Sequence, residues 1–135
     1  MTVLLDANIL LDFLQRRPGF VKPAAALFAA IEKKRATGYV AGHTITTIYY
    51  ILRRSEGAAA AVSAVSNLLE VLEVVPVQRK DFVRALALGW RDFEDAVQAV
   101  CADKVGADYL VTRNLDDFRD SPVPAHAPSH VLRLL

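Results

Sequence analysis

Four short apolar runs punctuate the chain, Thr2–Leu5 (TVLL), Gly38–Gly42 (GYVAG), Val74–Val77 (VVPV) and Tyr109–Thr112 (YLVT), and each is separated from the next by segments with helical spacing. Runs this short are poor helices, and being apolar throughout they read as strands buried on both faces. Between and after them helices are predicted over Asn8–Gln15, Pro23–Arg35, Thr44–Arg54, Ala58–Leu72, Asp81–Leu88 and Glu94–Val105. Pro23–Arg35 opens on proline and ends on basic residues, as a helix dipole favours. Thr44–Arg54 carries β-branched and aromatic residues that suit a strand, but Ile45, Ile48, Tyr49 and Leu52 recur at helical spacing and predict a helix. Gly106 is expected to close the Glu94 helix in a left-handed conformation. Pro76 marks the third strand as an edge or a strand end. Pro122–Ala127 reads as a short fifth strand and Pro128–Leu135 as a terminal helical turn or two. Strands separated by helices mean a mostly parallel sheet covered on both faces. The expectation is a single-domain α/β three-layer sandwich over residues 1–135, Rossmann-like, with four to five strands.

Composition narrows the functional classes. A chain of 135 residues can bury about two-thirds of its unfolded surface. Sixteen basic and 15 acidic residues give a net charge of +1, so no global basic field announces nucleic acid and any such surface must be local. The single cysteine, Cys101, excludes an internal disulfide, suits a reducing compartment and sits on an apolar helix as a core residue. His43, His126 and His130 share no spacing that suggests a site. No basic leader and no apolar run long enough to span a bilayer is present, so a cytoplasmic protein without membrane association is expected.

The carboxylates are where chemistry concentrates. Asp6 follows the first strand directly, and Asn114, Asp116 and Asp117 follow the fourth. Asp92 and Asp95 open the helix before the fourth strand and, three residues apart, share a face. In an open parallel sheet ligands bind beyond the carboxyl ends of the strands. If strands one and four are neighbours, these groups meet on one rim. Clustered carboxylates repel and raise one another's pKa unless a cation lies between them. Their all-oxygen donor set favours a hard ion such as Mg²⁺ or Mn²⁺, which suits metal-assisted hydrolysis of a nucleic-acid backbone. Taken singly, Asp92 and Glu94 are also ordinary helix-opening residues, and Asp116 and Asp117 ordinary turn residues. Asp6 is the exception, because a carboxylate at the end of an apolar strand is costly without partners.

Two blocks carry a family resemblance. VLLDANILLDFL resembles the opening strand and helix of PIN-domain proteins, and DFEDAVQAVCADKVGADYLVTRNLDDF resembles their second acidic helix and following strand. The likeness runs from Thr2 to about Val131. It implies a metal-dependent ribonuclease on a Rossmann-like sheet. Many bacterial members are toxins of toxin–antitoxin pairs, so RNA, a small antitoxin protein and a second copy of the chain are the implied partners. By position, Asp6, Asp95 and Asp117 match the family's catalytic and metal-binding acids, and Asn114 and Thr112 match supporting polar positions. Asn8 and Asp92 lie beside them. Arg16, Arg17 and Arg113 are the expected RNA phosphate contacts. One position departs: Thr47 stands where the family usually has Glu, and Asp92 or Glu94 is left to complete the set. On that basis Thr47→Glu is expected to raise turnover.

Competing readings fit less well. A phosphoacceptor receiver domain needs an Asp after strand three, where Gln78, Arg79 and Lys80 follow Val77. A haloacid-dehalogenase-type phosphatase needs an Asp where Asn8 stands. The remaining alternative is a catalytically degenerate PIN fold that binds RNA or protein, with Thr47 as its motive.

Overall fold

A computed structural model describes residues 1–135. The chain runs β1 (Thr2–Leu5), α1 (Ala7–Leu14), α2 (Val21–Glu32), β2 (Thr37–Ala41), α3 (Gly42–Glu56), α4 (Ala58–Val71), β3 (Glu73–Val75), α5 (Arg79–Leu88), α6 (Phe93–Lys104), β4 (Tyr109–Val111), a 3-10 turn (Leu115–Phe118), β5 (Ala125–His126) and α7 (Pro128–Arg133). The five strands form one sheet in the order β3-β2-β1-β4-β5, and every pairing is parallel. The α/β sandwich expected from the sequence is the fold observed.

Strand alternation explains the three layers. Val3, Leu5, Val40 and Val111 face one apolar cluster, which α1, α2, α3, α4 and α7 cover. Leu4, Ala41, Val75 and Leu110 face a second cluster, filled by Ala96, Val97, Ala99, Val100 and Cys101 of α6. β1, β2 and β4 therefore present apolar side chains both ways, which is why their runs are so strongly apolar. Burial pushes the Cys101 thiol up to about 11, so it is a core side chain rather than a nucleophile. Gly38 is needed where it stands: a Cβ there would lie 2.7 Å from Ile31 Cδ1 and 2.8 Å from Leu72 Cδ2.

Local chemistry sets the boundaries. The ambiguous Thr44 segment is helical, and its fully buried stripe is Thr44, Ile48 and Leu52, four residues apart, with Ile45 and Tyr49 partly buried beside it. Gly106 takes φ 64°, while its N–H bonds Asp103 O and the Ala107 N–H bonds Ala102 O, both at 3.0 Å, closing α6 as expected. α2 begins two residues before Pro23, which is tolerated in the first turn because its missing N–H has no helical acceptor there. β3 ends at Val75 instead of Val77, because Pro76 cannot donate to the ladder. The 3-10 turn after β4 had no signal in the apolar pattern. No helix is long and apolar enough to cross a membrane.

Candidate active site

The strand order reverses between β1 and β4, with the chain stepping to β2 and β3 on one side and to β5 on the other. Such a switch point opens a crevice at the carboxyl ends of the two strands. Asp6 leaves β1 there and Thr112 leaves β4, and the ladder pair Leu5–Val111 fixes them side by side. Asp6 is the N-cap residue of α1, yet its side chain makes no capping bond. It points into the crevice, where its Oδ1 accepts from Gln98 Nε2 at 2.9 Å and its Oδ2 from Thr112 Oγ1 at 2.9 Å. Burial raises the Asp6 pKa, and those two hydrogen bonds oppose the rise.

Gln98 ties the rim together. Its other amide N–H reaches Asp95 Oδ1 at 3.4 Å, and its Oε1 accepts the Ala7 N–H at 3.2 Å. One buried amide thus spans β1, α1 and α6. The sequence gives it no charge and no motif, which is why sequence reasoning passes over it.

Asp95 carries the clearest electrostatic signature. Its pKa is pushed up to about 7, first by burial and then by Asp92, Asp6, Asp117 and Glu94. Four other acids are therefore near enough to act on one carboxylate. Asp92 caps α6, accepting the Asp95 N–H at 3.1 Å, so it has a structural duty as well as a place on the rim. Asp116 and Asp117 lie exposed in the 3-10 turn. Asn114 precedes that turn and donates its N–H to Thr112 Oγ1 at 3.0 Å, so Thr112 links the turn to Asp6. Thr47 donates to Glu94 Oε1 at 2.8 Å. A carboxylate from α6 therefore reaches the position on α3 where the acid is absent. Beside it both His43 ring nitrogens are buried without a partner, and burial holds the imidazole below its ordinary pKa.

The expected phosphate contacts are placed differently from one another. Arg113 and Arg17 both pair with buried Asp12: Arg113 Nε to Oδ2 at 2.9 Å, Arg113 to Oδ1 at 3.2 Å, and Arg17 to Oδ1 at 3.3 Å. Arg17 also donates to Asn8 Oδ1 at 3.3 Å, and the Arg113 guanidinium lies 4.1 Å over the Phe20 ring. These two are held cations sharing one carboxylate, not free ones. Arg16 is exposed in a turn at φ 50° with no ion pair. Asp12 was not singled out in the sequence because a lone helical Asp reads as a solvated face.

As the side chains stand, no three His, Cys, Asp or Glu residues are drawn tightly enough to make a ready cage for a metal ion. The donor set nevertheless suits a hard divalent cation. It is all oxygen, its members add their repulsion to the burial that pushes Asp95 to about 7, and an amide bridges the Asp6 and Asp95 carboxylates.

The structure is thus an open parallel, Rossmann-like sheet with an acidic rim at its switch point. The family model described as PIN domain matches residues 2–116, and the chain belongs to the PIN-domain family. No curated protein matches the sequence. Among solved structures, the fold is similar to that of VapBC2 from Rickettsia felis, bound to a DNA fragment from its promoter (TM-score 0.75, 18% identity, 94% of this chain and 98% of that one). It is also similar to VapC20 of Mycobacterium tuberculosis, a toxin that cleaves the sarcin–ricin loop (TM-score 0.73, 19% identity, 87% and 94%). A toxin–antitoxin complex from Klebsiella pneumoniae matches with a TM-score of 0.69, 21% identity and coverage of 93% and 97%.

Proposed function

We propose that this PIN-domain protein is a divalent-metal-dependent endoribonuclease and the toxin of a toxin–antitoxin pair. The observation that carries the reading is the joining of Asp6 and Asp95 through Gln98 Nε2 at the β1–β4 switch point, with Asp92, Asp117 and Glu94 near enough to raise the Asp95 pKa further. Asp6, Asp95 and Asp117 would hold Mg²⁺ or Mn²⁺. Bound there, the ion supplies activation of a water and neutralisation of charge developing on the phosphate. Gln98 and Thr112 fix the Asp6 carboxylate, so it is oriented before any ligand arrives. Asp92 and Glu94 are the carboxylates left to accept the proton of the attacking water. Arg113 and Arg17, held by Asp12, present cations to the RNA backbone, which gives positioning without base readout.

The similarity to toxins solved with their antitoxins supports a small antitoxin as partner. A homodimer is supported by α4, where Val62 and Leu69 are exposed apolar side chains on an alanine-rich helix. The degenerate-module alternative drew on Thr47, and Glu94 beside that residue favours the active reading. The test is incubation of purified protein with Mn²⁺ and end-labelled single-stranded and hairpin RNA. Cleavage lost in EDTA and in Asp95→Asn is the expected result. Binding without cleavage of either RNA, at any divalent ion, would instead make the protein a binding module.

A further inference from the structure

A cavity of about 970 Å³ opens beside the rim, between the α5–α6 connection and the 3-10 turn, and shares Asp92 and Asp117 with it. Its lining includes Trp90, Phe93, Arg91 and Arg119, with Asp116 and Asp120. The volume lies at the upper end of small-ligand sites, roughly 300–1,000 Å³. Trp90 is half-buried and braced edge-on against Phe118, ring centroids 5.8 Å apart, so its ring is held in one orientation. Phe93 is exposed although it is the first residue of α6, where a polar side chain carries no packing cost. Two aromatic rings therefore line the cleft, Trp90 backed by the core cluster around α6 and Phe93 by the Phe82 ring, 6.3 Å away between centroids.

We propose that this cleft is a nucleobase subsite, which takes one unstacked base of a single-stranded RNA next to the bond to be cut. The inference rests on the nuclease reading above and adds where the substrate is gripped. The lining decides between parts of a nucleotide. It counts four carboxylates against two arginines, so a phosphate is repelled from the interior. A neutral base is not: its face stacks on an aromatic ring, and its amino and imino groups donate to Asp116 and Asp120. Arg91 and Arg119, both exposed, serve the flanking phosphates. A structured duplex cannot supply such a base without unpairing it.

Trp90 is the only tryptophan in the chain, so the tryptophan emission comes from this one side chain. The experiment titrates single-stranded RNA hexamers into the protein in EDTA while following tryptophan fluorescence, and follows the same hexamers, dye-labelled, by anisotropy. Saturable quenching by intact hexamers and none by hexamers of abasic units is expected. Phe93→Ala, on an exposed side chain, should weaken binding about tenfold, within the range of one base–aromatic stack. Binding by anisotropy with unchanged Trp90 emission overturns the subsite and leaves the nuclease reading standing. Quenching by an arginine-containing peptide but by no RNA also overturns it, in favour of a protein ligand. Neither binding nor cleavage of RNA overturns both.

Discussion

Thr47 Oγ1 donates a 2.8 Å hydrogen bond to Glu94 Oε1, joining the second turn of α3 to the first turn of α6. A carboxylate from the facing helix thus lies against Thr47. A chain can exchange the two ends of such a contact without changing the charge between the helices.

That contact alters what substitution at position 47 does. Thr47→Glu alone places a second carboxylate against Glu94, and like charges at that range disfavour ionisation of one of them. Turnover should then stay level or fall, contrary to what sequence position alone suggests. Glu94→Gln should weaken Mn²⁺ binding roughly 10- to 100-fold, as losses around metal ligands do. The swap Thr47→Glu with Glu94→Thr should recover most of it. Mn²⁺ affinities of the three variants decide the matter; a Glu94→Gln protein with unaltered affinity removes Glu94 from the site.

The Asp95 carboxyl gives the metal-free protein a pH signature. Burial and neighbouring acids hold it at about 7, against an ordinary 3.8. Between those values the folded state keeps a proton that the unfolded state releases, so stability falls as pH rises through the window and is level above it. His43 works in the opposite sense, since burial lowers its pKa and its contribution is lost as pH drops. Subtracting Asp95→Asn from wild type isolates the first effect. The melting temperature of wild type should drop relative to Asp95→Asn from about pH 5 to about pH 7.5. A gap that does not change with pH contradicts the assignment.

Asp12 should matter for stability and for RNA binding together. Its carboxylate is buried while Arg113 and Arg17 keep about a third of their side-chain surface, 30% and 31%. Arg113→Ala leaves the buried Asp12 with one weaker partner and should cost roughly 1–3 kcal/mol in urea unfolding. It should also lower the salt dependence of RNA binding by about one ion. Arg16→Ala, with no carboxylate to orphan, should change binding without changing stability. Equal unfolding midpoints for wild type and Arg113→Ala would show that the Asp12 pairing contributes nothing.

The central strands were legible because they are buried on both faces, so that in a run such as TVLL only the half-buried Thr2 at its start interrupts the apolar pattern. Asp6 was legible for the related reason that a carboxylate abutting such a run needs partners. Gln98 and Asp12 were not. Each acts through contacts 92 and 101 residues away in sequence, to Asp6 and Arg113, and a single chain carries no pattern that announces such pairs. The acids of the 3-10 turn were visible as residues, but the turn that aims them has no apolar period to reveal it.

Asp6 and its neighbours are proposed to hold a hard divalent cation, and calorimetric titration of Mn²⁺ tests this most directly. Wild type should bind, and Asp6→Asn should bind far more weakly. In the metal-free state Asp6→Asn should melt at the same temperature as wild type or higher, because a buried carboxylate with a raised pKa is relieved. Equal Mn²⁺ binding by the two proteins would contradict the account.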